Sequence, residues 1–299
     1  MSTTCLFPKI KKIKFTAVFR KSVKDSSGSN LKNLQKLEIN NNQIEELPID
    51  VFKGLTALEV LDLSNNLIKS LQTETLHDLN SLLDLKLSSN QVETIEDGCF
   101  ANLKKLQILD LNKNRLSTIN YFTFVVLDNL EKLYLNCNKI KQLHVVFRSL
   151  ESLVELDLSY NKLQLIPSEF FGTLVNLKRI DLDNNEIEAI EEKAFHDMHS
   201  LSEINLRRNK LRIIKQGIFV NLPKINSIDL AFNEICDISY DDFENLLSLK
   251  YVALRGNKLE PRNSEDFDKY FKAPKIRLCV TETEREEAES PIRYCKKLK

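Results

Sequence analysis

The chain predicts an α/β solenoid in which like units stack in file, each adding one strand to a single parallel sheet. Three observations carry the prediction. An asparagine recurs at Asn42, Asn66, Asn90, Asn114, Asn138, Asn161, Asn185, Asn209, Asn233 and Asn257, every 24 residues except for 23 between Asn138 and Asn161. Aliphatic residues keep fixed offsets around each asparagine, as Leu58, Leu61, Leu63, Ile68 and Leu71 do around Asn66. Ten residues after most of the asparagines stands an aromatic, at Phe52, Phe100, Phe124, Phe171, Phe195, Phe219, Phe243 and Phe267, with Leu76 replacing it once and Phe147 one residue early. A fixed period of this length marks a stack of supersecondary units that cannot bury their apolar faces alone.

Each element of the unit has a physical reason. Alternation in the x-L-x-L-x stretch puts leucines on one face and polar residues on the other, the pattern of a half-buried strand. Ten strands in register give one continuous leucine core, and the Phe with its following Leu closes the opposite wall of each coil. The asparagine ends the strand: its amide has donors and an acceptor for backbone groups that the turn leaves without partners. One residue is deleted between Leu143 and Phe147.

The ends decide solubility. Continued backward by one period, the pattern meets Ile10, Ile13 and Phe15, with Val18 in the asparagine slot. Continued forward, it meets Ala273, Ile276 and Leu278, with Thr281 in that slot. Residues 1–30 therefore read as a degenerate N-terminal capping repeat, 31–270 as ten clear repeats, and 271–299 as a degenerate C-terminal capping strand with a charged tail. The expectation is twelve strands in one domain. The lysines among Lys9, Lys11, Lys12, Lys14, Arg20, Lys21 and Lys24 read as charges that blunt an exposed edge, and the acidic run from Glu282 to Glu289 as a solvated segment.

Composition excludes several function classes. The 43 basic and 43 acidic residues cancel, which gives no electrostatic case for nucleic acid. No apolar run reaches the length of a membrane span, and the segment MSTTCLFPKIKKIKF lacks the apolar core of a secretory signal. Six scattered glycines build no phosphate-cradling loop, and no G-x-S-x-G occurs. His196 and His199 are three apart, but no further ligand pattern accompanies them, so they read as solvated surface histidines. No cofactor and no catalytic residue is expected.

The octad L-x-x-L-x-L-x-x-N-x-L, repeated ten times, resembles the leucine-rich repeat family, and the Phe171 to Leu174 spacing resembles its 24-residue subclass. Toll-like receptor ectodomains and secreted leucine-rich immune or adhesion proteins are similar in this respect. The resemblance implies a horseshoe with its parallel sheet on the concave face. It further implies a non-enzymatic recognition domain that binds a protein ligand or co-receptor, outside the cell or at its surface, in innate immunity or adhesion. Against that localisation stand the missing signal pattern and the absence of any N-x-S/T sequon, which favour an intracellular scaffold or regulatory subunit. Adjacent coils lie about 5 Å apart, so cysteines pair only from near-equivalent slots. Cys99, Cys137 and Cys236 occupy different slots of non-adjacent repeats, Cys5 has no partner in view, and Cys279 and Cys295 remain the candidate disulfide. Secreted members of the family usually carry cysteine-rich caps with a C-x-C pair, from which this chain departs.

Ten internal copies show where a solvent-facing slot departs from its own consensus. The slot between the last two strand leucines is mostly acidic (Asp62, Asp110, Asp157, Asp181, Asp229), a common residue there in the family, and carries no site. The slot just before the asparagine is small and polar in its first three copies, Asn41, Asn65 and Ser89. It later holds Lys113, Cys137, Tyr160, Arg208 and Phe232. Arg207 and Arg255 stand beside that slot, and the strands add Tyr134, Arg179 and Tyr251. Tyrosine, phenylalanine and arginine are enriched in interface hot spots because they bury area while keeping a polar handle or fork. These eight residues, centred on Arg208 and Phe232, form the candidate partner surface.

Overall fold

The computed structural model describes residues 12–14, 20–22, 31–142, 146–168, 170–238, 243, 245–259 and 277–279. Its main sheet has twelve strands, all parallel, with spatial order following chain order. The ten inner strands are Lys36–Glu38, Val60–Asp62, Asp84–Lys86, Ile108–Asp110, Lys132–Tyr134, Glu155–Asp157, Arg179–Asp181, Glu203–Asn205, Ser227–Asp229 and Tyr251–Ala253. Lys12–Lys14 and Arg277–Cys279 flank them. Central leucines pair in register, Leu37 with Leu61, Leu61 with Leu85 and Leu85 with Leu109, and they lie in the core. The short interval appears as Leu133 opposite Leu156. The deletion that accounts for it falls around residues 143–145, outside the described residues.

At the N-terminal end Ile13 pairs with Leu37, one period apart. The C-terminal strand differs from the sequence expectation. Continuing the period puts Ile276 opposite Val252, whereas the structure puts Leu278 there, with Arg277 opposite Tyr251. The interval from Val252 to Leu278 is thus two residues longer than the period. Side chains alternate with period two, so a slip of two leaves the strand's inward and outward pattern intact and the sequence pattern blind to it.

The asparagines do more than close their own turns. Asn185 Nδ2 donates to Leu182 O of its own repeat at 3.1 Å and to Leu158 O of the preceding one at 2.9 Å, while its Oδ1 accepts from Leu163 N at 3.1 Å. Asn66 and Asn209 repeat the arrangement. Each amide thus joins two coils. On the far side the phenylalanines stack between neighbours, with centroids 5.5 Å apart for Phe171 and Phe195, 5.9 Å for Phe195 and Phe219, and 6.1 Å for Phe219 and Phe243. That spacing follows from the coil repeat and gives offset contact along the wall.

The return segments carry turns and two-residue strands such as Leu165–Ile166 and Ala189–Ile190. Among the described residues the one helical segment is the 3-10 turn Thr73–Leu76. An α-helix gains only ~1.5 Å per residue, and a 24-residue unit leaves too few residues to cross back that slowly. No helix among the described residues is long and apolar enough to cross a membrane.

Candidate functional site

The concave surface is built from strand residues and the two slots that follow them. Its acidic stripe proves to be a turn device. Asp62, Asp110, Asp157, Asp181 and Asp229 each accept, through Oδ1, the backbone N–H two residues ahead, from Ser64, Asn112, Ser159, Asp183 and Ala231, at 2.9 to 3.0 Å. Asn205 accepts likewise from Arg207 N at 3.1 Å. This local bond ends the strand and starts the turn. Burial raises the carboxyls of Asp110 and Asp157 above the usual range, and burial with Asp157 alongside pushes Asp181 up to about 7.

The slot before each asparagine has a backbone requirement of its own. From Asn41 to Phe232 its φ lies between 52° and 57° in every copy, and at Gly256 it is 70°. This is the left-handed region, which glycine enters freely, asparagine tolerates, and other L-residues enter at a cost of ~1–2 kcal/mol. Asn41, Asn65, Asn184 and Gly256 obey that preference, whereas Tyr160, Arg208 and Phe232 oppose it. Large side chains therefore sit where the backbone resists them.

The structure brings four of the eight candidates together. The guanidinium carbons of Arg207, Arg255 and Arg208 lie 4.6, 4.9 and 5.6 Å from the centroid of the half-buried Phe232 ring. Arg207 and Arg255 are only 8% and 9% exposed, so they present far less surface than the sequence reading supposes. Ala231 occupies the same slot between them and is fully buried, which leaves room for the ring. Gly256 is open for the same reason: a Cβ there would stand 2.6 Å from Phe232 Cδ1. Arg208 is exposed, with Nη1 4.0 Å from Asp183 Oδ2. Asp183 itself is raised by burial, opposed by a hydrogen bond from Asn184 and by the charges of Arg208 and Arg207.

Of the other four candidates, Tyr134, Arg179 and Tyr251 stand on strands and Tyr160 in the left-handed slot. Arg179 Nε donates to Glu203 at 2.8 Å, and Tyr134 Oη to Glu155 at 3.2 Å, both along the strand face. Tyr160 is 48% exposed, and Tyr251 is half-buried on the strand opposite Ser227. The acidic neighbour Asp183 was not a candidate; its signal was a carboxylate beside the asparagine slot where most copies carry a small neutral residue. Burial pushes the Cys99 thiol up to about 12, as befits a core residue. Cys137, on the concave side, is half-buried with its thiol raised, and Cys236 is exposed. All three are free, while Cys5 and Cys295 lie outside the described residues. Nδ1 of His196 is 2.9 Å from Asp197, and no group of three metal-ligating side chains forms among the described residues.

The family profile for the leucine rich repeat matches residues 32–92, 84–140, 111–163, 151–211 and 200–259. No curated protein matches the chain at a significant level. Among solved structures, a leucine-rich repeat protein of Leptospira interrogans is 28% identical with a TM-score of 0.73, over 84% of this chain and 61% of that one. A chain in the octameric complex of Latrophilin 3, Unc5D and the leucine-rich repeat protein FLRT2 is 24% identical with a TM-score of 0.74, over 84% and 77%. The APL1 leucine-rich repeat domain is 23% identical with a TM-score of 0.68, over 80% and 60%. The chain thus spans about three fifths of the length of the first and third of these structures. With the profile covering residues 32 to 259 and the twelve-stranded parallel sheet beneath it, the chain belongs to the leucine-rich repeat family.

Proposed function

We propose that the chain is a non-enzymatic recognition domain that holds a protein partner against its concave face between the repeats of Asn138 and Asn257. One observation carries the reading: large polar and aromatic side chains occupy the left-handed slot at Tyr160, Arg208 and Phe232, where the backbone favours asparagine or glycine. Local strain maintained at a surface position is the mark of a residue kept for contact rather than for folding. A rigid curved scaffold lets successive repeats each contribute one or two such side chains. FLRT2 assembles with Latrophilin 3 and Unc5D, an example of the fold in a protein complex. By family resemblance the setting is extracellular or at the cell surface, in innate immunity or adhesion.

The test restores the preferred residue. Tyr160→Asn, Arg208→Asn and Phe232→Asn in one chain are expected to leave the circular dichroism spectrum intact and abolish co-precipitation of partners that the parent chain captures. Phe122→Ser, at a residue 60% exposed in a turn of the return segment, serves as control. Undiminished capture by the triple variant would refute the reading. An intracellular scaffold using the same face is favoured by the free thiols of Cys99, Cys137 and Cys236. A thiol count on unreduced, denatured protein separates the two settings: six reactive thiols favour the intracellular one, four with a closed Cys279 to Cys295 pair the extracellular one.

A further inference from the structure

Three arginines meet one aromatic ring near the C-terminal end of the concave face. Arg255 is nine-tenths buried, and among the described residues no carboxylate lies within ion-pair distance of it; its guanidinium carbon stands 4.9 Å from the Phe232 centroid. Arg208 reaches Asp183 only at 4.0 Å. A guanidinium stacked on a ring spends its π face on the contact and keeps its in-plane N–H fork for an acceptor, with a geometry matched to carboxylate. Ring and neighbours also hold these long side chains in place, so less conformational freedom remains to be lost on binding.

We infer that this cluster is an anion-recognition centre that takes a carboxylate from an acidic segment of a protein partner. The inference rests on the concave-face reading and names the chemistry of its partner. The surroundings favour a single acidic side chain over a polyanion. Glu155 and Glu203 lie along the strands that lead to the cluster, and the turn-forming Asp157, Asp181 and Asp229 run through the same face. A sulfated polysaccharide or a nucleic acid crossing this surface would meet those carboxylates in succession. A protein segment can instead offer one or two carboxylates to the arginines and neutral or basic residues to the rest.

The experiment selects random peptides displayed on phage against the purified full chain, then measures the winners by fluorescence anisotropy on the parent and on three variants. Arg208→Gln removes an exposed charge without touching the core; Arg208→Gln with Arg255→Gln removes two. Tyr160→Asn alters the same face away from the cluster. Expected are peptides rich in Asp and Glu that weaken about tenfold or more with the double Gln variant, weaken in part with Arg208→Gln alone, and weaken as salt is raised. Peptides sensitive to Tyr160→Asn but neither acidic nor affected by the Gln variants would overturn the anion centre and leave the concave-face reading standing. Peptides indifferent to every one of these variants would overturn both. Dextran sulfate that binds the parent more tightly than the selected peptides, and loses that binding in the Gln variants, would overturn the choice of a protein carboxylate.

Discussion

Gly256→Ala tests the geometry on which the site depends. At φ of 70° the position is left-handed, so any Cβ costs ~1–2 kcal/mol before neighbours are considered. That Cβ would also stand 2.6 Å from Phe232 Cδ1, 3.0 Å from Cε1 and 3.2 Å from Cγ. A ring held by three guanidiniums cannot yield without disturbing them, so overpacking adds ~1–3 kcal/mol. The single variant should therefore lose ~2–5 kcal/mol. In a Phe232→Asn background the clash vanishes and only the backbone term of ~1–2 kcal/mol remains. The double-mutant cycle should then show ~1–3 kcal/mol of coupling. With no tryptophan in the chain, urea unfolding is best followed by far-ultraviolet circular dichroism. A Gly256→Ala penalty that is the same in both backgrounds would refute the argument, because the ring would then not lie over Gly256 and the arginines would lose the platform on which they stack.

Two further outcomes follow from single side chains. Asp181 is raised to about 7 by burial and by Asp157, so between about pH 4 and pH 7 the folded chain holds a proton that the unfolded chain releases. Its contribution to stability falls as pH rises through that window. Asp181→Asn keeps an acceptor for Asp183 N–H and carries no charge, so it should stabilise the chain by a few kcal/mol at about pH 8 and by little at about pH 4; equal gains in urea midpoint at both would contradict the burial argument. Asn185→Ala strands Leu158 O, Leu182 O and Leu163 N, all buried, and should cost ~3 kcal/mol or more. Asn42→Ala, at a half-exposed position, should cost markedly less in the same titration.

The register of the ten inner strands was legible because two demands, apolar alternation and an amide at the turn, recur together in each unit, so that Leu133 and Leu156 align even across the shortened interval. The strand at Arg277–Cys279 was legible only to within two residues, since its alternation reads the same after a slip of two. The left-handed slot was visible as a place of unusual residues, but its conformation was not recognised. Asn41, Asn65, Asn184 and Gly256 were the signal, being the types that tolerate positive φ. The burial of Arg207 and Arg255 also had a signal: Ser64 and Ser159 fill their slot in other repeats, and small residues there mark limited room. Which arginine would meet which ring depends on packing across three coils, and a pattern read one unit at a time does not contain it.

Those three coils argue against drift on a tolerant surface. Successive dipeptides before the asparagine are Arg207 and Arg208, then Ala231 and Phe232, then Arg255 and Gly256. Where one slot grows, the neighbour that would collide shrinks. Ala231 separates the two buried arginines, and Gly256 opens under the ring. Independent substitution at a single exposed slot would not remove side chains in the adjoining slot or in the next coil. Interlocking large and small residues instead make the cluster one packed unit, with two arginines nine-tenths buried at its base and Arg208 exposed above. A polar group so supported is held in place before any partner arrives, and a contact residue gains affinity and selectivity from such support.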